Sequence, residues 1–246
     1  MPSHPSTPFT MTTPITTLPS TVARVLRTED TGKIFERAIC LAYNIPYDGN
    51  YKYGLEAPEK LKPRLARLNE LFPLPTHTAK RGARYDFTAA TNPSLHLSAK
   101  TTKGNGKVAP QVIGQPQPQK FCDILGIPFT SVPDLKKYIQ ENIQTILPIL
   151  LSYTLDCPSI YYNEQTNTIR YVTLASPIPW NNYTYSWTCK WDEWKNTSTV
   201  KIVTPEKTIP LVEFQFHTKS RTNMAIRWSF EEFLTLFPQH LNIQTL

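Results

Sequence analysis

Cysteine is scarce and scattered. Cys40, Cys122, Cys157 and Cys189 stand far apart in 246 residues, and no two share C-x-x-C spacing. That argues against a structural zinc site and against a disulfide scaffold, and leaves buried thiols in a reducing cytosol as the expectation. His77, His96, His217 and His240 lack the H-x-x-H or H-E-x-x-H spacing of a zinc hydrolase. Gly104-Asn-Gly106 lacks the rest of a P-loop, and no Gly-x-Ser-x-Gly elbow occurs. Long apolar runs are missing too. The most apolar stretch, Ile146 to Leu151, is interrupted by Pro148 and is too short to span a bilayer. No basic start followed by an apolar run suggests a signal peptide, so a soluble, cytoplasmic protein is expected. No internal repeat is visible. Acids are outnumbered, 19 against 26 Lys and Arg, for a net charge of +7 and a pI of about 9.2. Such a surplus favours polyanions such as nucleic acid, although a merely soluble basic protein would carry it as well.

What is present supports one folded domain. Hydrophobic residues make up 40% of the chain, enough for a packed core. Residues 1–22 are rich in Pro, Ser and Thr without periodicity and read as a disordered or extended arm. The rest, 23–246, is expected to be a single domain, with a catalytic core over about 23–155 and a strand-rich recognition part over about 156–246. Apolar spacing predicts a helix over 31–43 and a second over 59–72, with Leu61, Leu65, Leu68 and Phe72 on one face and Pro63 in the first turn. Residues 84–89 and 95–100 alternate polar and apolar around the turn signal Thr91-Asn-Pro-Ser94, which predicts a β-hairpin. A short helix over 107–115 is limited by Pro110. Ser131-Val-Pro-Asp134 predicts a capped helix that Pro148 should kink or end. Strands are expected at 159–163, 168–174, 183–190, 198–204, 209–217 and 223–228. Ser229-Phe-Glu-Glu232 reads as a capping box opening a last helix. The order is α+β.

The chemistry sits in the hairpin. Side chains two apart on a strand share a face, so His96, Ser98 and Lys100 point one way and Leu95, Leu97 and Ala99 the other. Arg84, Asp86 and Thr88 likewise share a face opposite Tyr85 and Phe87. With both apolar faces turned to the core, Asp86 and Lys100 emerge together. Cutting a phosphodiester needs a positioned water, charge neutralisation at the phosphate and stabilisation of the leaving oxygen. A carboxylate holding Mg²⁺ and a nearby ammonium meet those needs. A cross-strand ion pair at a sheet surface would bring the same two residues together.

Asp86 followed by Ser98-Ala99-Lys100 resembles the motif of the PD-(D/E)XK nuclease superfamily, at the level of type II restriction endonucleases. Tyr85 stands where a Pro is usual and Ser98 where an acid is commonest, which leaves the second metal carboxylate unassigned. Gly32-Lys-Ile-Phe-Glu36 resembles the N-terminal helix of such enzymes, where the Glu helps hold metal; Gln111 and Gln115 are rivals for that place. Glu213-Phe-Gln-Phe-His217, Lys219-Ser-Arg221 and Ile226-Arg-Trp228 resemble the C-terminal segment of several restriction endonucleases. The resemblance implies a restriction-endonuclease-like core built on a central mixed β-sheet flanked by helices, with a strand-rich C-terminal half. It further implies Mg²⁺-dependent cleavage of double-stranded DNA to 5′-phosphate ends in a prokaryotic cytoplasm. Asp86, the Ala99 carbonyl and Glu36 would hold the metal, Lys100 would position water, and Ser98 would hydrogen-bond locally. A homodimer would suit a palindromic target, and a cognate methyltransferase would protect host sites.

Other residues offer DNA contacts. Glu213, Gln215 and His217 share one strand face, and Gln and Arg suit adenine and guanine edges, which makes Gln215, His217, Arg221 and Arg227 candidates for sequence reading. Lys103, Lys107 and Lys120 surround the polar loop after Lys100 that also holds Gln111 and Gln115; with Lys219 they are candidates for phosphate contact. A polar outer sheet face and a solvated loop would look the same. The alternatives to a restriction enzyme are a non-catalytic DNA- or RNA-binding protein and a repair-type nuclease of the same superfamily.

Overall fold

A computed structural model describes residues 28–80, 83–104, 106–217 and 222–246. The first part runs α1 (Thr28–Ala42), α2 (Glu56–Leu61), a 3-10 turn (Lys62–Leu65), α3 (Leu68–Leu71), β1 (Pro75–His77), β2 (Phe87–Ala89), β3 (Asn92–Thr102) and β4 (Lys107–Val108). The middle contains α4 (Pro118–Leu125), α5 (Val132–Glu141), α6 (Ile143–Ser152), β5 (Ser159–Asn163) and β6 (Thr168–Leu174). The last part contains β7 (Thr184–Trp187), β8 (Thr197–Val203), β9 (Thr208–Phe216), β10 (Met224–Ser229), α7 (Phe230–Leu236) and β11 (Leu241–Thr245). No helix among the described residues is long and apolar enough to cross a membrane. The extended arm expected over residues 1–22 lies outside the described residues.

The α+β reading holds, but the strands form two sheets. The first is six-stranded, in the order β1-β2-β3-β5-β6-β11. Its β3–β5 pair is parallel and its other pairs are antiparallel, so it is the mixed sheet. The second sheet, β4-β10-β9-β8-β7, is wholly antiparallel. The C-terminal strands are thus divided: β5, β6 and β11 complete the sheet that carries β2 and β3, and β7–β10 build the other.

Two cores explain this layout. Phe35, Ala38 and Ile39 of α1 pack with Phe87, Leu97, Ile160 and Ile169 on one face of the mixed sheet. On its other face Tyr161 and Val172 join α6, α7 and the second sheet in a larger core. Neighbouring residues of β5 therefore serve different cores, and all five are buried. A strand with a core on each face is buried on both, so β5 shows none of the alternating exposure of a half-solvated strand.

Several local expectations are corrected. The stripe over 59–72 does bury Leu65, Leu68 and Phe72, but Pro63 sits in the 3-10 turn and splits the helix. Residues 107–115 contain β4 and a turn instead of a helix. Pro148 lies inside α6 and does not end it. The chain breaks earlier, at Asn142, whose side chain donates to the Tyr138 carbonyl and caps α5. Burial of Ile143, Ile146, Leu147, Leu150 and Leu151 outweighs a proline penalty of about 3 kcal/mol. Ser131 caps α5 as expected, accepting from Asp134 N–H at 3.2 Å.

The predicted capping box at Ser229 is not made through its side chain. The Phe230 N–H instead donates to the Gly106 carbonyl at 2.7 Å, which ties the loop after Lys100 to α7. Gly106 has φ +64°, and a Cβ there would lie 2.7 Å from Glu231 Cγ. Gly106→Ala should therefore destabilise the fold by about 2–3 kcal/mol, as a left-handed non-glycine backbone plus a forced shift of Glu231. A lower urea midpoint with an unchanged slope would register it; a wild-type midpoint would contradict the packing described.

Glu231 cannot shift freely. It accepts from Asn163 Nδ2 at 2.6 Å, Arg170 Nη1 at 2.6 Å and Tyr161 Oη at 2.9 Å. Partial burial pushes its carboxyl up, but the bonds from Asn163, Arg170 and Tyr161, together with the Arg170 charge, hold it below the usual glutamate range. A folded-state value below the unfolded one means the stabilisation is complete above about pH 4.3 and is lost as pH falls through the folded value. Glu231→Gln should therefore cost about 1–3 kcal/mol at pH 6. The gap to wild type should narrow in urea titrations taken below about pH 4.

Candidate active site

Asp86 occupies the bend immediately before β2. The β2–β3 register pairs Phe87 with Leu97, so Asp86 falls opposite Ser98. Its Oδ2 accepts the Ala99 backbone N–H at 2.7 Å and the Ser98 hydroxyl at 3.1 Å. Ser98 is fully buried, and its backbone N–H donates to the Pro158 carbonyl at 2.9 Å. Lys100 follows two residues later on the Ser98 side of β3, and Thr102 beyond it meets the Tyr161 hydroxyl at 2.9 Å. No ion pair between Asp86 and Lys100 is found among the described residues. Cys157 instead marks their common neighbourhood. Burial pushes its thiol up to about 12, with Asp156 and Asp86 adding to the rise and Lys100 opposing it.

The residue before Asp86 acquires a physical role. Tyr85 stacks on His96 with ring centres 3.9 Å apart and donates its hydroxyl to Asp156 Oδ2 at 2.6 Å. Arg84 pairs with the same carboxylate at 2.9 Å. Together they clamp the bend carrying Asp86 to the loop that leads into β5.

Glu36 reaches the same region from α1. Burial pushes its carboxyl above the usual range, and the Asp86 charge adds to that rise against a hydrogen bond from His77. His77, from the three-residue strand β1, lies 3.3 Å from Glu36 Oε2 through Nε2. The Asp48 N–H donates to His77 Nδ1 at 3.0 Å, so the network assigns the ring proton to Nε2, from which it is donated to Glu36. His77 was not legible as a site residue, because β1 is too short for a pattern and no second histidine lies at ligand spacing.

Two half-buried carboxylates that repel each other suit a hard divalent cation, since Mg²⁺ commonly takes one or two carboxylates and keeps water or phosphate as its other ligands. No group of three or more His, Cys, Asp or Glu able to hold a metal is found among the described residues.

From Lys100 a cleft of about 620 Å³ opens between the two sheets. Its charged lining residues are Lys100, Lys103, Lys107 and Arg227, and Gln115 stands at its exposed edge. No acid lines it among the described residues. Lys107 is paired with Glu213, and Arg227 with Glu213 and Gln215. Gln111 is buried beside the Cys157 thiol. His217 is half-buried at the end of β9, and its N–H donates to the Asn223 carbonyl. Lys120 is exposed on α4, away from the cleft lining. Lys219 and Arg221 lie outside the described residues.

Over 226 residues, 90% of this chain, the sequence is 45% identical to the type II restriction enzyme CviAII of Paramecium bursaria Chlorella virus 1, and the match covers 64% of that protein. The chain thus spans less than two thirds of this relative's length. No protein-family model matches the chain. No solved structure matches it.

Proposed function

We propose that this chain is a Mg²⁺-dependent endodeoxyribonuclease of the type II restriction kind, with a PD-(D/E)XK-like catalytic centre. The observation that carries the reading is Asp86 bound to Ala99 N–H and Ser98 on the strand whose Lys100 opens an all-basic cleft. The similarity to a type II restriction enzyme supports it. The duplex docks over the cleft between the sheets, whose cations offset phosphate charge. Asp86 and Glu36, with the Ala99 carbonyl, would hold Mg²⁺, which when bound supplies neutralisation of phosphate charge and activation of water. Lys100 orients the attacking water and stabilises charge at the scissile phosphate. Ser98 holds Asp86 in register by hydrogen bonding. Water attacks phosphorus, the 3′ oxygen leaves, and a 5′-phosphate end results. A homodimer would act on a palindromic site, and a methyltransferase of the same specificity would shield it.

The test is incubation of the chain with plasmid and phage DNA in Mg²⁺, followed by sequencing of the ends. Discrete fragments with one shared end sequence are expected, and none in EDTA. Tight binding without fragments would favour a non-catalytic nucleic-acid-binding protein. Cutting confined to branched or mismatched DNA would favour a repair nuclease.

A further inference from the structure

Lys107, Glu213, Gln215 and Arg227, from β4, β9 and β10, form one connected polar group on the second sheet, and two of them line the cleft. The β9–β10 register sets Arg227 directly across from Glu213. Arg227 Nη2 donates to Gln215 Oε1 at 2.6 Å and lies 2.6 Å from Glu213 Oε1, while Glu213 Oε2 takes the Lys107 ammonium. Burial is graded across the group: the Glu213 side chain is 10% exposed and that of Arg227 is 37% exposed. The carboxylate is therefore inside and the guanidinium at the mouth, in the lining of the cleft that starts at Lys100. Behind them Phe214 and Phe216 are packed into the core, so the strand cannot turn Glu213 out.

A surface cation needs no buried carboxylate to remain soluble. What a buried carboxylate adds is a fixed charge that keeps the guanidinium at one place, while the directed hydrogen bond on Arg227 goes to Gln215. Guanine offers two neighbouring major-groove acceptors, O6 and N7, which match two donors of a guanidinium.

We infer that Arg227 reads a guanine of the target duplex and that Glu213 is the positioning residue that aims it. This rests on the endonuclease reading above. Gln215 has its acceptor oxygen engaged by Arg227 and acts as a second brace, not as a reader of adenine. Lys107 pairs with Glu213 and braces it from the other side. Reading and cutting then share one cleft, and the guanine belongs to the base pairs beside the cut.

The experiment uses the full chain and a duplex containing the cut site defined by fragment-end sequencing. Each guanine is replaced in turn by 7-deazaguanine, which pairs normally but lacks the N7 acceptor. Affinity in Ca²⁺ should fall about ten- to a hundredfold at one guanine and little at the others. Arg227→Ala removes the donors and should bind the two duplexes equally. Glu213→Gln should shrink the discrimination at least fivefold while the salt dependence of binding stays as in the wild type. A purely structural role for Glu213 would instead weaken binding to both duplexes alike, and that result overturns the positioning role. Discrete cutting with no sensitivity to 7-deazaguanine at any position, or full discrimination by Arg227→Ala, overturns the inference and leaves the endonuclease reading standing. A wild-type chain that yields no fragments in Mg²⁺ overturns both.

Discussion

Asp86→Asn should lower single-turnover DNA cleavage in Mg²⁺ by at least about a thousandfold, equivalent to roughly 4 kcal/mol of lost transition-state stabilisation. The substitution isolates charge from structure. An asparagine oxygen can still accept the Ala99 N–H that Asp86 accepts at 2.7 Å. The bend should survive, because Tyr85 and Arg84 hold it through Asp156 and not through Asp86. The midpoint of thermal unfolding should therefore stay within a few degrees of wild type. Lys100→Ala should show a comparable loss with DNA binding in Ca²⁺ retained, because other cations line the cleft. Wild-type rates from both variants would place the chemistry elsewhere.

Trp228→Ala should have the largest effect on stability, about 3–5 kcal/mol in urea unfolding. Trp228 is fully buried, with the rings of Trp180 and Phe233 at 6.2 and 5.1 Å. Its indole N–H donates to Thr154 Oγ1 at 2.9 Å, and that hydroxyl donates to the Leu150 carbonyl at 2.7 Å. One side chain therefore joins the second sheet to the end of α6. Trp228→Phe keeps most of the apolar volume and loses the indole bond, so it should cost about 1–2 kcal/mol. Because Arg227 precedes Trp228 on β10, the alanine variant should also lower DNA affinity where the phenylalanine variant does not. Equal stability of the two variants would mean that the hydrogen bond and not the ring volume anchors the strand.

Legibility followed the range of the forces involved. The stripe of α1, the Ser131 cap, and the runs that became β5 and β6 were readable because their signals lie within a few residues. The hairpin that brings Asp86 to the strand carrying Ser98 and Lys100 was readable for the same reason: a period of two and a short turn bring its two strands together, although the bond from Ser98 to Asp86 was not foreseen. Pro148 misled because a helix-breaking penalty of about 3 kcal/mol competes with burial, which the local sequence does not state. The capping box misled because the entry to the last helix is fixed from elsewhere: Gly106, more than a hundred residues earlier, accepts the Phe230 N–H.

The amino-acid sequence by itself determined the α+β class, the amphipathic faces and the hairpin that sets Asp86 beside Ser98 and Ala99. Tertiary structure alone decided that the strands form two sheets, that β11 returns to pair with β6, and that β4 joins β10. It also brought Glu36 and His77 toward Asp86 and put Arg227 across a cleft from Lys100. The reason is physical: alternation dictates which side chains share a face, but the partner of a strand edge is chosen by the apolar area that closing the whole core removes from water.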